Sequence, residues 1–214
     1  MIVLAIDTAL ETCSAAVVKD GRALAARSEP MARGHQERLA PLVAELMTEA
    51  GIGFDRIGRV GVTVGPGSFT GLRVGLAFAK GLGLALEVPV VGVGSLEAMA
   101  AGCGGYAAAV IDARREQVYL QPFRDGRPLQ PPAALGLADS VDWLIGVDSA
   151  GPGVLTGPGA RLLAEAFPDA TVDVVSGADP VVLARLAAEA EPAPPRPVYL
   201  RAPDAKPPAP ALTV

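Results

Sequence analysis

The sequence predicts an α/β protein made of two similar halves, and three observations support this prediction. Short β-type runs alternate with segments that have helical spacing. The run "LAID", which ends at Asp7, is matched later by "AVID", which ends at Asp112. The stretch 61–71, "GVTVGPGSFTG", is matched in the same order by 153–163, "GVLTGPGARLL". Two matches in one order indicate a duplication, with the boundary near "AAGCGG" separating residues 1–104 from residues 105–190.

The first half opens with three β-type runs, "IVLAID", "CSAAVV" and "ALAARS", which predict an antiparallel meander because turn-forming residues separate them. A helix is predicted over 35–50, with Gly51 as its stop. Pro41 requires that it begin close to Glu37 or bend, because proline lacks a backbone donor. "RVGVTV" and "VPVVGV" are further predicted strands. The apolar face of this helix recurs at steps of three and four residues: Leu39, Leu42, Val43 and Leu46.

A second helix is predicted over 70–86, and its apolar residues occupy nearly every side. Such a helix needs cover on more than one face. Its small residues recur four apart, which favours close approach of another backbone. We therefore interpret the two helices as a partner-binding surface, with cover within the chain as the alternative. The candidate interface residues are His35, Leu39, Leu42, Val43, Leu46, Gly71, Leu72, Gly75, Phe78, Ala79 and Leu82.

The glycine-rich stretch 64–73, "VGPGSFTGLR", lies between a strand and a helix, where many proteins bind phosphate. It lacks the Lys of a nucleotide P-loop, is one residue too long for a dinucleotide fingerprint and does not have the spacing of a nucleophile elbow. A tight turn with Ser68 as the helix cap is the preferred interpretation. Direct contact with a ligand is the alternative.

Candidate metal-binding and nucleophilic groups are few. His35 is the only histidine, which excludes a histidine pair and favours a packing or partner-contact role. Asp7 and Asp112 could coordinate Mg²⁺ with a nucleotide, or bond to the amides of their turns. Arg114 could bind an anion, or lie at a solvated hairpin tip.

Composition narrows the function classes further. The net charge of −5 gives no broad cationic surface, so this chain alone is not expected to bind nucleic acid. Two cysteines are too few for a disulfide framework. The start lacks the pattern of a secretory signal, and 72–86 is shorter than the ~20 residues that span a bilayer. A cytoplasmic protein without a membrane segment is predicted.

The end of the chain is a proline-rich tail, because residues 191–214 hold eight of the twenty prolines. Proline cannot join a helix interior or a central strand. Within this tail, "PVYLR" is expected to dock through Val198, Tyr199 and Leu200, and the remainder is expected to be loose.

Five segments together resemble the TsaB (YeaZ) family, and they run through most of the chain in order. They are "IVLAIDTALETCSAAVV", "GHQERLAPLVAELMTEAG", "GPGSFTGLRVGLAFAKGLGLA", "DARREQVYLQPF" and "PVYLR". The block "GPGSFTGLR" is the most specific, and coverage is weakest over 125–190. The resemblance implies a duplicated fold of the actin, sugar kinase and Hsp70 type (ASKHA), with two subdomains of mixed sheets and flanking helices.

The resemblance also implies a role in making N6-threonylcarbamoyladenosine (t6A) in tRNA. In that system a TsaD-like threonylcarbamoyltransferase holds the metal and transfers the group from its adenylate, and a TsaE-like ATPase joins the assembly. ATP and a divalent metal are implied in those partners, and this chain alone is expected to bind no cofactor. The tRNA is the substrate of the complex. A homodimer through the same two helices is expected as another use of that surface.

Departures from TsaD-like proteins favour a non-catalytic subunit that binds and activates such an enzyme. Where those proteins carry a His-x-x-x-His pair, this chain has Ser95 and Met99, and a thioether is a poor ligand for a hard cation. Active relatives often have glycine close behind each aspartate. The candidate vestigial nucleotide loops are therefore Asp7 with Thr8 and Asp112 with Arg114. An autonomous ATPase or phosphotransferase is the alternative, and a metalloprotease has almost no support without ligand histidines.

Overall fold

The structure is a computed structural model that describes residues 1–201. Its first sheet has five strands in the order β3-β2-β1-β4-β5. The predicted antiparallel meander is confirmed, and the last two strands run parallel to the first. The strands are β1 (Ile2–Asp7), β2 (Thr12–Lys19), β3 (Arg22–Pro30), β4 (Arg59–Thr63) and β5 (Val90–Val93).

The second sheet has the order β11-β10-β6-β7-β8, and β9 also pairs with β7. Like the first, it mixes parallel and antiparallel pairs. Its strands are β6 (Tyr106–Arg114), β7 (Gln117–Arg124), β8 (Arg127–Pro128), β9 (Ala133–Gly136), β10 (Val154–Thr156) and β11 (Thr171–Asp173).

Helices cover both faces of the first sheet. On one face, α1 (His35–Ala50) and α2 (Phe69–Leu86) pack against the side chains of Leu4 and Ile6 in β1. On the other, α5 (Pro180–Glu189) packs against Val3 and Ala5, because successive side chains of a strand point to opposite faces. Burial on both faces explains why β1 reads as a continuous apolar run.

The second sheet is covered by α4 (Leu137–Val147) and a 3₁₀ helix at Ala160–Ala166 on one face, and by the short α3 (Ser95–Ala100) on the other. A further 3₁₀ turn lies at Phe54–Arg56. The repeat of strand, Gly-Pro-Gly and helix holds in outline. Its second copy ends in a 3₁₀ helix instead of an α-helix.

The last helix returns to the first sheet, although the sequence-based division placed it in the second half. Three carbonyl oxygens at the end of α5, those of Ala187, Ala188 and Ala190, each accept a hydrogen bond from Nη1 of Arg59 at 2.7–3.0 Å. A Cβ on Gly61 would lie 2.6 Å from the Cβ of Ala187. Strand β4 therefore holds α5 against its backbone, and the division at residues 105–190 does not follow this packing.

Helices α1 and α2 begin at or next to their predicted first residues. Helix α1 begins two residues before Glu37 and contains Pro41. Ser68 caps α2 as predicted, because its Oγ accepts a hydrogen bond from the N–H of Gly71 at 3.3 Å. Its start at Phe69 is one residue earlier than the predicted helix.

The proline-rich segment docks where the sequence predicted. The N–H of Val198 donates to the carbonyl oxygen of Val64 at 2.7 Å, and the ring of Tyr199 contacts that of Phe69. Leu200 is half-buried. The predicted loose remainder, residues 202–214, lies outside the described residues.

Candidate functional site

The small-residue stripe of α2 contacts the chain's own first strand, not a partner. A Cβ on Gly71 would lie 2.0 Å from the carbonyl oxygen of Thr8, and one on Gly75 would lie 2.6 Å from Thr8 Oγ1. Ala79 is fully buried in the same core. The assignment of Gly71, Gly75 and Ala79 to an interface is therefore corrected, because this face of α2 packs on β1 and β4.

The larger apolar side chains of the predicted interface are core residues as well. Each of them is at most 1% exposed and packs in the core of its own chain, so together they do not form a free surface; Leu39 alone of them also lies in the wall of the groove between α1 and α2. The helical spacing had identified the buried face of α1, which the chain's own sheet covers. The residues corrected in this way are Leu39, Leu42, Val43, Leu46 and Leu72.

The remaining predicted interface residues are His35, Phe78 and Leu82. The ring of His35 makes its polar contacts within its own chain. Its Nε2 lies 3.2 Å from the carbonyl oxygen of Leu10 and 3.1 Å from that of Thr12, so the ring joins the start of α1 to the turn between β1 and β2. Phe78 and Leu82 are half-buried. Phe78 alone of these three lines the open groove between the helices.

That groove, the α1–α2 groove, has a volume of about 540 Å³. At its rim Phe69 is 46% exposed, and Cζ of Arg73 lies 3.6 Å from the centre of the Phe69 ring. Leu84, farther along α2, is 83% exposed. The groove is lined by Gln36, Leu39, Phe69, Thr70, Arg73, Val74, Ala77 and Phe78.

The charges beside the groove are of one sign. Helix α2 carries Arg73 and Lys80 and has no carboxylate, and neither cation forms a salt bridge with any residue in 1–201. Of the acidic side chains of α1, Glu45 and Glu49 bond to Arg38 or Arg27 at 2.6–2.9 Å. Glu37 lines the cavity between the two sheets and not this groove. The α2 side of the groove is therefore apolar and cationic.

Helix α2 is also long and apolar enough, by length and composition alone, to cross a membrane. In the structure Leu76 and Ala79 pack in the core of the first sheet, and Leu72 is buried. One third of this stretch is buried, and length and composition alone are weak evidence for a membrane span.

A second cavity, the interlobe cleft, lies between the two sheets and has a volume of about 930 Å³. Its walls bring together His35, Gly71, Asp112 and Arg114. Charges of both signs meet there. The Arg114 side chain is 74% exposed and lies 3.3 Å from Asp112 and 3.4 Å from Glu11.

Asp7 is not available to a ligand in this cleft. It is 1% exposed, as is Thr8. Its Oδ1 accepts hydrogen bonds from Thr63 Oγ1 at 2.6 Å and from the N–H of Ala9 at 2.8 Å. Burial raises the pKa of the Asp7 carboxyl, and these hydrogen bonds offset part of that effect. Oδ1 of this carboxylate is therefore held by its own chain, whereas Oδ2 is buried without a hydrogen-bond partner among residues 1–201.

The second candidate loop aspartate, Asp112, is bonded within its own turn. The Asp112 carboxylate accepts a hydrogen bond from the N–H of Arg114 at 2.7 Å, which is the turn-amide alternative of the sequence analysis. Ser95 and Met99 are both buried. Within residues 1–201 no three His, Cys, Asp or Glu side chains are grouped so that they could hold a metal ion.

The sequence analysis missed the exposed residues of the groove, Phe69 and Arg73. A usable signal existed, because positions 69, 73, 77, 81 and 84 recur at steps of three and four and lie on the side of α2 opposite to Gly71, Gly75 and Ala79. The contribution of Tyr199, which contacts Phe69 from 130 residues away, has no local signal.

The sequence is similar to one known protein family and to several known proteins. A family model described as TsaD, tRNA N6-adenosine threonylcarbamoyltransferase, matches residues 28–157. An uncharacterized protein of Mycobacterium tuberculosis is 39% identical over 207 residues, which cover 96% of this chain and 94% of the relative. The tRNA threonylcarbamoyladenosine biosynthesis protein TsaB of Escherichia coli is 41% identical over 129 residues, 58% of this chain and 55% of that protein.

Among solved structures, YeaZ from Pseudomonas aeruginosa superposes with a TM-score of 0.74 at 29% identity, over 93% of this chain and 99% of that one. A second structure from the same organism, described as similar to peptidase YEAZ, has a TM-score of 0.79 at 32% identity, over 94% and 99% of the two chains. The predicted fold is confirmed by these likenesses. The chain belongs to the TsaB (YeaZ) family and has its ASKHA fold of two mixed sheets with flanking helices.

Proposed function

We propose that this chain is a non-catalytic partner subunit in tRNA t6A synthesis, and that it binds and activates a TsaD-like threonylcarbamoyltransferase through the α1–α2 groove. The assignment to t6A synthesis is supported by relatives that are named as t6A biosynthesis proteins. The observation that carries the proposal is the groove itself, where Phe69 remains exposed beside Arg73; Leu84 is a further exposed apolar side chain, farther along α2. Exposed aromatic and aliphatic side chains around a cation are characteristic of a protein-binding surface.

Charge favours a different protein over a second copy as the occupant. In a two-fold pairing of α2 with itself, the cations of both copies would meet at one seam without a carboxylate from either α2. A partner with carboxylates on an apolar helical face avoids that repulsion. The family model of a TsaD-type enzyme matches this chain over 28–157, so a related helix pair is expected on the enzyme.

The state of the carboxylates supports a subunit without chemistry of its own. Asp7 is buried and bonded to Thr63 and Ala9, and Asp112 is bonded to its own turn. We assign the ATP and divalent metal of the reaction to the TsaD-like and TsaE-like partners, and the tRNA to the assembled complex. The cytoplasm, where tRNA is modified, is the compartment we assign.

Reconstitution of t6A synthesis tests the proposal. Modified tRNA is expected when this chain is combined with the TsaD-like and TsaE-like proteins of the same organism and with the TsaC-type enzyme that makes the threonylcarbamoyl adenylate. It is not expected when this chain is omitted. The double variant Phe69→Ala, Arg73→Glu is expected to behave like the omission. Leu162→Ala is the matched control, because Leu162 is 45% exposed on the second half, in the 3₁₀ helix at Ala160–Ala166. Full modification without this chain contradicts the proposal.

The interlobe cleft supports one alternative, an autonomous ATPase or phosphotransferase, because its volume of about 930 Å³ is sufficient for a nucleotide. Calorimetry of the isolated chain with ATP and Mg²⁺ separates the two functions. Tight binding that is lost in Asp112→Ala would favour the alternative. No heat of binding is expected if the chain acts only as a partner subunit.

A further inference from the structure

We propose that the C-terminal strap, Pro197–Arg201, is part of the docking surface, and that the α1–α2 groove is incomplete without it. The inference rests on the proposed function, because it names a further element of the same surface. The strap adds the ring of Tyr199 beside Phe69 at the rim of the groove. The partner that fits is a helical face with apolar side chains for the groove and a carboxylate opposite Arg73.

The strap is hydrogen-bonded to the residue that directly follows the end of β4. The N–H of Val198 donates to the carbonyl oxygen of Val64 at 2.7 Å, which extends the end of β4. Gly65 has a φ of +103°, and a Cβ there would lie 2.9 Å from the carbonyl oxygen of Val198. The Gly-Pro-Gly turn before α2 therefore leaves room for the strap to pass.

Just upstream, the chain is seated in the same way. Pro195 is buried, and a Cβ on Gly92 of β5 would lie 3.2 Å from the Pro195 Cβ. Gly65 in the turn after β4 and Gly92 in β5 thus both lie against this one C-terminal segment. These close contacts indicate that residues 195–198 follow a fixed path. That path places Tyr199 beside Phe69.

At that place three side chains form a contiguous stack on the first turn of α2. The centres of the Tyr199 and Phe69 rings are 5.4 Å apart at an interplanar angle of 43°, within the range of favourable aromatic pairs. Arg73 lies over the Phe69 ring. Tyr199 therefore restrains Phe69, and Phe69 in turn positions the guanidinium that a partner carboxylate would meet.

The strap ends on the second sheet. The guanidinium of Arg201 donates a hydrogen bond to Oε1 of Gln117 at the start of β7. Gln117 pairs in register with Arg114, whose side chain lines the interlobe cleft. The strap thus starts on the first sheet, passes the rim of the groove and is anchored on the hairpin beside the cleft.

Substitution of Tyr199 in the full chain tests the proposal. Tyr199→Ala is expected to weaken binding of the TsaD-like partner about tenfold in titration calorimetry, because both the ring and its hold on Phe69 are lost. Tyr199→Phe is the matched control and is expected to bind as the wild type does, since it keeps the ring. Gln117→Ala, which removes only the anchor, is expected to weaken binding about threefold.

A second readout does not need the partner. Hydrogen exchange of the isolated chain reports on the Gly71 and Leu72 amides, which are bonded to Ser68 in the first turn of α2. Tyr199→Ala is expected to speed their exchange about tenfold, whereas Tyr199→Phe leaves it unchanged. Faster exchange supports the bracing of Phe69 and the first turn of α2 by the strap even if the wild-type chain fails to bind the enzyme. Absence of binding would overturn the proposed function and the docking role of the strap, but not this bracing.

Two results would overturn the inference about the strap. One is a Tyr199→Ala variant that binds the enzyme as tightly as the wild type, whatever its exchange rates. The other, which decides the matter if the wild type does not bind, is unchanged exchange of the Gly71 and Leu72 amides in Tyr199→Ala.

Discussion

The hydroxyl of Thr8 donates a hydrogen bond to the carbonyl oxygen of Gly71 at 2.7 Å, and so joins the end of β1 to the first turn of α2. The two backbones are as close as glycine permits, because a Cβ on Gly71 would lie 2.0 Å from the Thr8 carbonyl oxygen. This contact fixes which side of α2 faces the sheet. It therefore also fixes which side, that of Phe69 and Arg73, remains open.

Glycines of α2 are expected to differ sharply in their response to alanine. Gly75→Ala should lower the free energy of unfolding by about 2 kcal/mol, because its Cβ would lie 2.6 Å from Thr8 Oγ1. Gly81→Ala should raise it by about 0.5–1 kcal/mol, since no atom lies within 4 Å of the added Cβ. Denaturant unfolding measures both. Equal effects of the two substitutions would contradict the close packing of β1 and α2.

Asp7→Asn is expected to leave partner function intact and to stabilise the chain at neutral pH. Burial raises the pKa of Asp7 above its ordinary value of 3.8. The folded state then holds the proton more tightly than the unfolded state, so the wild type loses stability as pH rises from 3.8 to the folded pKa. Asparagine keeps Oδ1 as the acceptor for Thr63 and Ala9 and carries no charge.

Unfolding of wild type and Asp7→Asn between pH 3 and pH 8 checks this prediction. The advantage of the variant should be full at neutral pH and absent once the wild-type carboxyl is protonated. A folded Asp7→Asn chain that no longer supports t6A synthesis would argue instead for a catalytic or metal-binding Asp7.

The ion-pair network around Arg38 should make stability sensitive to acid. Hydrogen bonds from Arg38 lower the pKa of Glu29 and of Glu45 from their ordinary value of 4.5. Groups with a depressed pKa stabilise the fold above the unfolded value, and this contribution is lost as pH falls through the folded value. Arg38→Met should therefore be less stable than wild type at pH 7.

The deficit of Arg38→Met should shrink below pH 4.5 and in high salt, because these side chains are near the surface. Thermal unfolding at several pH values measures it. A deficit that is the same at pH 3 and pH 7 would show that Arg38 acts through packing and not through its charge.

Arg59→Met should detach the end of α5 from the first sheet. One guanidinium nitrogen supplies hydrogen bonds to three carbonyl oxygens there, so its loss leaves several acceptors unpaired and should cost about 2 kcal/mol. Amide exchange of 183–190 should rise more than that of α1. Arg59→Lys keeps a cation for these carbonyls and should retain part of the protection, whereas uniform loosening of the whole chain would contradict this local role.

The sequence predicted the elements well where the signals are local. The meander follows from β-type runs between turns, and Ser68 as a cap follows from its place before an apolar helix. What covers each face is set by distant residues, which local patterns do not contain. The stripe of Leu39, Leu42 and Leu46 marks a buried face, but only the fold reveals that the chain's own sheet buries it.

The same reason accounts for the parts of the candidate site that were missed. The other face of the first sheet is covered by α5, which follows the whole second sheet in the chain. Tyr199 reaches Phe69 only because the strap returns to the end of β4. A helix that is apolar on every side indicates burial or binding, and the two uses separate only when the folded neighbours are known.

The affinity of this chain for the TsaD-like enzyme of the same organism tests the central claim most directly. Titration calorimetry should give tight binding for the wild type and for Leu162→Ala. Arg73→Glu should bind at least about tenfold more weakly, because it places a carboxylate where the partner presents one. Equal affinity of the wild type and Arg73→Glu, or no binding by the wild type, would contradict a docking surface at the α1–α2 groove.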